Sequence, residues 1–283
     1  MLTDWLASLS IVMTGVVTFA VMLAAAVAGR FLRLAQIRRS GGGIQESGES
    51  VAQEGYLLGA ALGLLGLLLA FTFGMVLNRY EARRALATQE ANAIGTSYLR
   101  AQLLDEPHRS RLSRLLVAYT ENRMKLASDA EDARFLAVND RLLTEIWSAV
   151  AAARESALAH GLSTAVLMTY NEVIDLDTER KLAWDLRTPA EVLLLLLVYL
   201  AVTAAVVGHS VDGPRGKRSA LVLFALIALS ITVMADLNRP MSGRARESQQ
   251  AMRMLLASLK AQPPAAFDKF SAPQSAAGTN DAH

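Results

Sequence analysis

Four long apolar blocks constrain the fold of this chain more than any other feature of its sequence. They run over residues 5–29, 55–77, 192–208 and 219–235, and none of them contains a charged residue. A helix that crosses about 30 Å of hydrocarbon needs roughly 17–25 apolar residues. Continuous apolar character, without alternation, indicates helices and not barrel strands in lipid. We therefore predict an all-α integral membrane protein with four transmembrane helices.

The starts of the first and third blocks carry further signals. Asp4 precedes the first block where a cleaved signal peptide has basic residues, and the apolar run exceeds the roughly 7–15 residues of such peptides. We predict a retained span there. Before the third block, Thr188, Pro189 and Glu191 fit a capping box with proline at the first helical position, which predicts a helix start.

The apolar blocks divide the remaining chain into regions of different composition. Residues 1–77 hold spans 1 and 2, and residues 188–236 hold spans 3 and 4. Residues 78–187 between them are charged and helical in rhythm, which predicts a water-facing helical bundle. Residues 237–262 carry a C-terminal amphipathic helix, with Met252, Leu255, Leu256 and Leu259 on one face. Residues 263–283 are rich in small and polar residues, which predicts a disordered tail.

An even number of spans places both termini on the same side as residues 78–187. Near the membrane this side has ten lysine and arginine residues, and the side with the first loop and the 209–218 loop has seven. The positive-inside rule therefore favours cytosolic termini and a cytosolic bundle, by a narrow margin.

The sequence lacks the residues that several functional classes require. The chain has no cysteine, its net charge is +2, and its four histidines lie far apart, so neither a nucleic-acid partner nor a metal or cofactor is indicated. Asp175-Leu-Asp177-Thr-Glu179 begins like a calcium loop, but Arg180 stands where that loop needs glycine, and we predict a solvated helix face. No ionisable residue lies within a span, which argues against a proton-coupled carrier. We predict no enzymatic activity.

Small residues form two stripes on the second span. Gly55, Gly59 and Gly63 repeat every four residues, and Gly66, Ala70 and Gly74 follow the same spacing. Small residues at this spacing let helices approach closely in lipid. The stripes predict either packing within the chain or packing around an oligomer axis.

Charged residues follow the second and fourth spans on the same predicted side of the membrane. Arg79, Arg83 and Arg84 leave the second span, and Asp236 and Arg239 leave the fourth. We predict that Asp236 pairs with Arg79 or Arg83. This polar cluster is either a structural ion pair or a charged vestibule at a pore mouth.

Three runs of residues carry a resemblance to a known family. They read Asn78-Arg-Tyr-Glu-Ala-Arg-Arg84, Glu90-Ala-Asn-Ala-Ile-Gly-Thr-Ser-Tyr-Leu-Arg100 and Asp236-Leu-Asn-Arg-Pro-Met-Ser-Gly243. With Leu103 to Pro107 and Tyr119 to Arg123, they make the chain resemble the bacterial bestrophin-like membrane protein family. The resemblance extends from about Gly55 to Leu259.

This resemblance implies a layout and an activity. Bestrophins are pentameric ion channels with two spans, a cytosolic helical region, two more spans and a cytosolic C-terminal helix. The resemblance implies a multi-pass protein of the bacterial inner membrane with a pore lined by the second span. It makes Phe71 and Phe73 constriction candidates, together with Gly66 and Gly74. The acidic calcium clasp of animal bestrophins has no counterpart, because Arg239, Arg244 and Arg246 follow the fourth span.

The leading hypothesis is a homo-oligomeric, pentameric channel-like protein that conducts small ions passively along an axis lined by span 2. The alternative is a non-conducting membrane sensor or scaffold whose region 78–187 binds a partner. A membrane-embedded enzyme ranks third, because the spans lack acids, histidines and cysteines.

Overall fold

The chain folds into helices throughout the part that the structure describes. The structure is a computed structural model, and it describes residues 10–39, 48–128, 133–186, 188–239 and 248–268. The helices are α1 (Ile11–Arg39), α2 (Gly48–Ala101), α3 (His108–Ser128), α4 (Ala133–Ala152), α5 (Arg154–Ala159), α6 (Ser163–Asp185), α7 (Ala190–Ser210), α8 (Gly213–Leu237), α9 (Gln250–Ala261) and a 3-10 turn (Pro264–Phe267). These ranges contain no strand, so the predicted all-α class is confirmed.

The chain divides into two compact units, which are described separately below. The apolar unit comprises Met1–Glu81 and Leu186–Arg246, and the polar unit comprises Ala82–Asp185 and Glu247–His283. Helix α2 contributes residues to both units.

The predicted number of apolar helices is confirmed. In the described ranges, four helices are long and apolar enough to cross a membrane: Ile11–Arg39, Ala52–Ala101, Glu191–Ser210 and Gly213–Leu237. Residues 5–9 of the first predicted span lie outside the described residues. Helix α8 begins at Gly213, six residues before the fourth predicted span, because Pro214 in its first turn needs no hydrogen-bond partner for its nitrogen.

All four helices of the apolar unit contribute to one buried cluster. Met22 of α1, Leu65 of α2, Leu200 of α7 and Phe224 of α8 are each at most 2% exposed. Many other large apolar side chains point outward, and Phe71 is 69% exposed. An apolar exterior of this extent is typical of a surface that lipid or another protein covers.

Helices α1 and α7 of the apolar unit approach each other closely. A Cβ atom at Gly29 would collide with the backbone oxygen of Ala205, and one at Gly208 would collide with the backbone oxygen of Ala26. The two backbones touch because neither glycine has a side chain. Neither residue belongs to the stripes that the sequence analysis identified.

Polar contacts join the end of α1 to the end of α7. The Nη1 atom of Arg33 donates to the backbone oxygen of His209 at 2.9 Å and lies 2.7 Å from Oδ2 of Asp212. The ring of His209 contacts Gln36 at 3.1 Å. A cation at the carboxyl end of α7 stabilises the unpaired carbonyls there. One end of the apolar unit is held together in this way.

The predicted capping box before the third span is wrong. Pro189 is the residue before α7, and no side chain caps that helix. The hydroxyl of Thr188 instead donates to Oδ1 of Asn238 at 2.9 Å. The Thr188 hydroxyl thus bonds to a residue at the end of α8. A pattern of neighbouring residues does not reveal this contact.

The core of the polar unit combines α2, α3, α4, α6 and α9. Ile94, Leu116, Ile146, Val173 and Met252 are all 0% exposed and belong to one cluster.

The C-terminal segment belongs to the polar unit and continues past α9. The Tyr98 hydroxyl donates to the backbone oxygen of Gln262 at 2.7 Å, and its ring meets Phe267 edge-on. Residues 264–267 therefore form an ordered turn where the sequence predicts a disordered tail, and residues 269–283 of that tail lie outside the described residues.

Substituting Gly208 tests the close approach of α1 and α7. We expect Gly208→Ala to lower the free energy of unfolding by about 1–3 kcal/mol, because the methyl group forces two backbones apart. Thermal unfolding of the protein in detergent measures the change. Gly59→Ala, measured on detergent-dissociated monomers so that contacts with other copies are absent, is the matched control, since nothing lies within 4 Å of a Cβ there in the described part of the chain. Equal unfolding temperatures for the two variants would contradict the close approach.

Candidate functional site

The second-span residues identified from the sequence lie mostly on the surface of this single chain. Phe71 is 69% exposed and Phe73 is 37% exposed. No atom in the described ranges lies within 4 Å of a Cβ built at any of the second-span glycines, which are Gly55, Gly59, Gly63, Gly66 and Gly74. The stripes are therefore open within the chain, and their packing against another subunit stays a prediction.

The open glycine face lies opposite the face of α2 that the chain buries. Successive residues of an α-helix are rotated by about 100° about the helix axis. Leu65, Thr72 and Val76 share one face and are at most 2% exposed. Gly63 and Gly74 face the other way, because each is two residues from a member of that set.

The two phenylalanines cannot both point along one direction. Phe71 and Phe73 are separated by about 200° around the helix. Phe71 lies about 60° from Gly74, and Phe73 lies about 20° from Gly66, so the two rings border the glycine face at different sides. Phe71 is the more exposed of the two rings, which makes it the better candidate to narrow a path along the open face.

The residues of the predicted polar cluster at the span ends differ in burial and in their contacts. In the described part of the chain, Arg79 forms no hydrogen bond or ion pair, although its Nη1 atom is buried. Arg83 is 4% exposed, Arg84 is exposed and Asp236 is half-buried. A pair between Asp236 and Arg83 stays a prediction.

The polar unit contains a constellation that the sequence analysis did not assemble. Six polar side chains from four helices meet in its interior, each at most 2% exposed. This buried charge cluster consists of Glu90 of α2, Tyr119 and Arg123 of α3, Asn139 of α4, and Asp177 and Arg180 of α6.

Glu90 is the centre of one half of the buried charge cluster. Its Oε2 atom accepts from Nη2 of Arg123 at 3.0 Å and from Nη1 of Arg180 at close range. Its Oε1 atom accepts from the Tyr119 hydroxyl at 2.7 Å. One carboxylate thus joins α2 to α3 and α6.

Asp177 is the centre of the other half. Its Oδ1 atom accepts from Nη1 of Arg123 at 3.0 Å and from the side-chain amide of Asn139 at 2.9 Å. Its Oδ2 atom lies 2.7 Å from Nζ of Lys181, which closes the edge of the cluster toward water. The ring of Trp184 lies 5.3 Å from the Arg123 guanidinium, within cation–π range.

Burial and neighbouring charges shift the pKa values of Tyr119 and Arg123. Burial, followed by the charge of Glu90, raises the pKa of Tyr119 well above its usual range, so the phenol keeps its proton and donates. Burial alone would lower the pKa of Arg123, but Glu90 and the other acidic neighbours raise it. Two carboxylates balance two guanidiniums, which leaves no net charge in the interior.

The buried charge cluster corrects one sequence-based interpretation. Asp177 and Arg180 were expected on a solvated helix face, yet they are 2% and 1% exposed. The sequence-based prediction for Asp177 and Arg180 is wrong because the calcium-loop pattern includes only neighbours along the chain. Glu90, Tyr119 and Arg123 lie in the runs that carry the family resemblance. These runs are the sequence feature that points to the buried charge cluster.

The cluster binds four helices together. In the described ranges, no group of three histidine or acidic side chains could hold a metal ion. Removing one member of a buried, hydrogen-bonded pair leaves a buried charge without compensation, which is costly. The arrangement therefore acts as a tie between α2, α3, α4 and α6.

We expect Glu90→Gln to lower the free energy of unfolding by about 3–5 kcal/mol, because two buried guanidiniums lose their shared counter-charge. Circular dichroism during thermal unfolding measures it. Glu121→Gln is the matched control on α3. Its carboxylate pairs with Lys260 at the surface, so the expected loss is about 1 kcal/mol or less. Equal losses would show that the cluster contributes nothing beyond a surface pair.

Comparisons with known proteins agree with this architecture. Two crystal structures of single-substitution variants of a bacterial bestrophin homologue from Klebsiella pneumoniae superpose on the chain, each with a TM-score of 0.59 and 17% identity. Each match covers 88% of this chain and 97% of that chain, which shows a shared fold. No curated protein matches the sequence.

The family assignment rests on sequence. A Bestrophin-like domain matches residues 24–252, a range that includes most of α1, the other three apolar helices and the whole buried charge cluster. The apolar helices and this match identify a membrane protein. The chain belongs to the Bestrophin-like family.

Proposed function

We propose that this Bestrophin-like protein is a homo-oligomeric ion channel, pentameric, of the bacterial inner membrane. Ions would move passively along an axis lined by the open face of α2. The single observation that carries the proposal is that face: Gly63 and Gly74 have open space beside them and lie opposite the residues that pack inside the chain. Membership of the Bestrophin-like family supports ion conduction. The pentameric state is proposed from the resemblance to bestrophins.

The glycine face has the properties that an oligomer axis requires. Small residues let copies of one helix approach around a common axis. The same residues leave an apolar path without ionisable groups, which can gate by losing its water. Phe71 at the border of this face is the candidate constriction, and Phe73 is the alternative.

The polar unit would form the cytosolic vestibule of such a channel. Its buried charge cluster fixes the segment of α2 that follows the span, because Glu90 belongs to that helix. Arg79, Arg83, Arg84, Asp236 and Arg239 would lie at the entrance and influence ion selectivity.

Reporter fusions test the proposed orientation. A fluorescent protein inserted at Ala130, between α3 and α4, is expected to fluoresce because that reporter folds in the cytosol. Alkaline phosphatase at the same position is expected to be inactive, since it requires the oxidising periplasm. The opposite pair of results would place residues 78–187 outside and favour the sensor alternative.

Planar-bilayer recordings of the purified oligomer test conduction. We expect Phe71→Ala to raise the single-channel conductance several-fold, because it removes the more exposed of the two rings that border the open face. Phe73→Ala is the matched control and is expected to leave the conductance within about twofold, since that ring is only 37% exposed and packs partly inside the chain.

Three results would contradict parts of this proposal. Equal effects of the two variants would show that the exposed Phe71 ring is not the constriction. A larger effect of Phe73→Ala would show that the pore is lined by the side of α2 that carries Phe73. An intact oligomer without current at any voltage would remove the channel and leave the sensor or scaffold.

A further inference from the structure

An open groove crosses the surface of the apolar unit, at the end that carries the short α7–α8 linker. Its volume is about 550 Å³. Gly29 and Ala205 form its floor, where α1 and α7 touch. Leucine and valine side chains from α1, α2 and α7 form its walls, among them Leu57 and Val202.

One end of the groove is polar. Glu54 from the start of α2 lines it, together with His209 and Ser210 from the last turn of α7. The His209 ring already contacts Gln36. Glu54 is half-buried, and its carboxylate forms no hydrogen bond or ion pair with any residue in the described ranges.

We propose that this groove binds a phospholipid with a primary ammonium headgroup. The acyl chain would lie along the apolar walls, and the ammonium group would bind the Glu54 carboxylate. The inference is independent of ion conduction, because it requires only that the apolar unit lies in a bilayer.

Charge complementarity selects this occupant. A carboxylate at the edge of the hydrocarbon layer is costly without a partner, and an ammonium group supplies both charge and N–H donors. A quaternary ammonium headgroup supplies the charge without donors, and a glycerol headgroup supplies neither a positive charge nor N–H donors. Arg30, next to Gly29 in α1, lies 3.8 Å from the Asp212 carboxylate, keeps 41% of its side chain exposed and would add positive charge for the lipid phosphate.

A helix of a second copy fits the groove less well. It would cover the apolar walls, but it would compensate Glu54 only if an arginine or lysine that flanks its own spans reached the carboxylate. The lipid satisfies the apolar walls and the carboxylate together.

Native mass spectrometry of the detergent-solubilised full chain tests the proposal with three dioleoyl lipids: phosphatidylethanolamine, phosphatidylcholine and phosphatidylglycerol. We expect the first to be retained about tenfold more than the other two, as one charge-assisted hydrogen bond predicts. Glu54→Gln is expected to abolish this preference. Glu191→Gln is the control, because it removes an exposed carboxylate from the opposite end of α7.

A second pair of variants tests the apolar walls. Val202→Trp is expected to reduce retention of all three lipids at least fivefold by filling the groove. Val198→Trp is the control, because Val198 lies one turn earlier on the same exposed face of α7 and does not line the groove.

Several results would overturn the proposal. Equal retention of the three lipids by the unmodified chain would remove the headgroup preference. A preference that survives Glu54→Gln would place the ammonium elsewhere. Unchanged retention by Val202→Trp would exclude the groove as the acyl site, and loss of the oligomer in that variant alone would identify a second copy as the occupant.

Discussion

The carboxylate of Glu90 has no contact with water, and the polar unit depends on balancing its charge. Arg123 and Arg180 approach it from α3 and α6, and Asp177 compensates the first of these arginines. A sliding movement of any one helix would leave a buried charge without its partner, at a cost of several kcal/mol. Apolar contacts alone adapt more readily to altered packing. The buried charge cluster is therefore what specifies the register between these helices.

The apolar unit follows the opposite rules because its solvent is lipid. Burying apolar side chains gains little when the surroundings are equally apolar, so close packing has to hold the helices together. Gly29 and Gly208 provide this by bringing the backbones of α1 and α7 into contact. Large side chains such as Phe71 remain outside. Helix α2 belongs to both units and meets both sets of rules along its length.

Both functional proposals concern surfaces that the single chain leaves open. The open face of α2 bears glycines and no charge, which suits other copies of the same helix. The groove between α1, α2 and α7 bears Glu54 at its polar end, which suits a ligand that carries its own cation. The difference between these surfaces is electrostatic, and it determines which partner each one can accept without leaving a charge unpaired.

The sequence by itself determined the four apolar helices, the all-α class and the family, because hydrophobicity and short motifs can be recognised within a window of neighbouring residues. It identified glycines on α2 but missed Gly29 and Gly208, and it placed Asp177 and Arg180 in water. Only the tertiary structure decided these points. Whether a glycine touches another helix, or a charge is buried, depends on residues far away in the chain. Glu90 meets Arg180 across ninety positions, and no local periodicity encodes that contact.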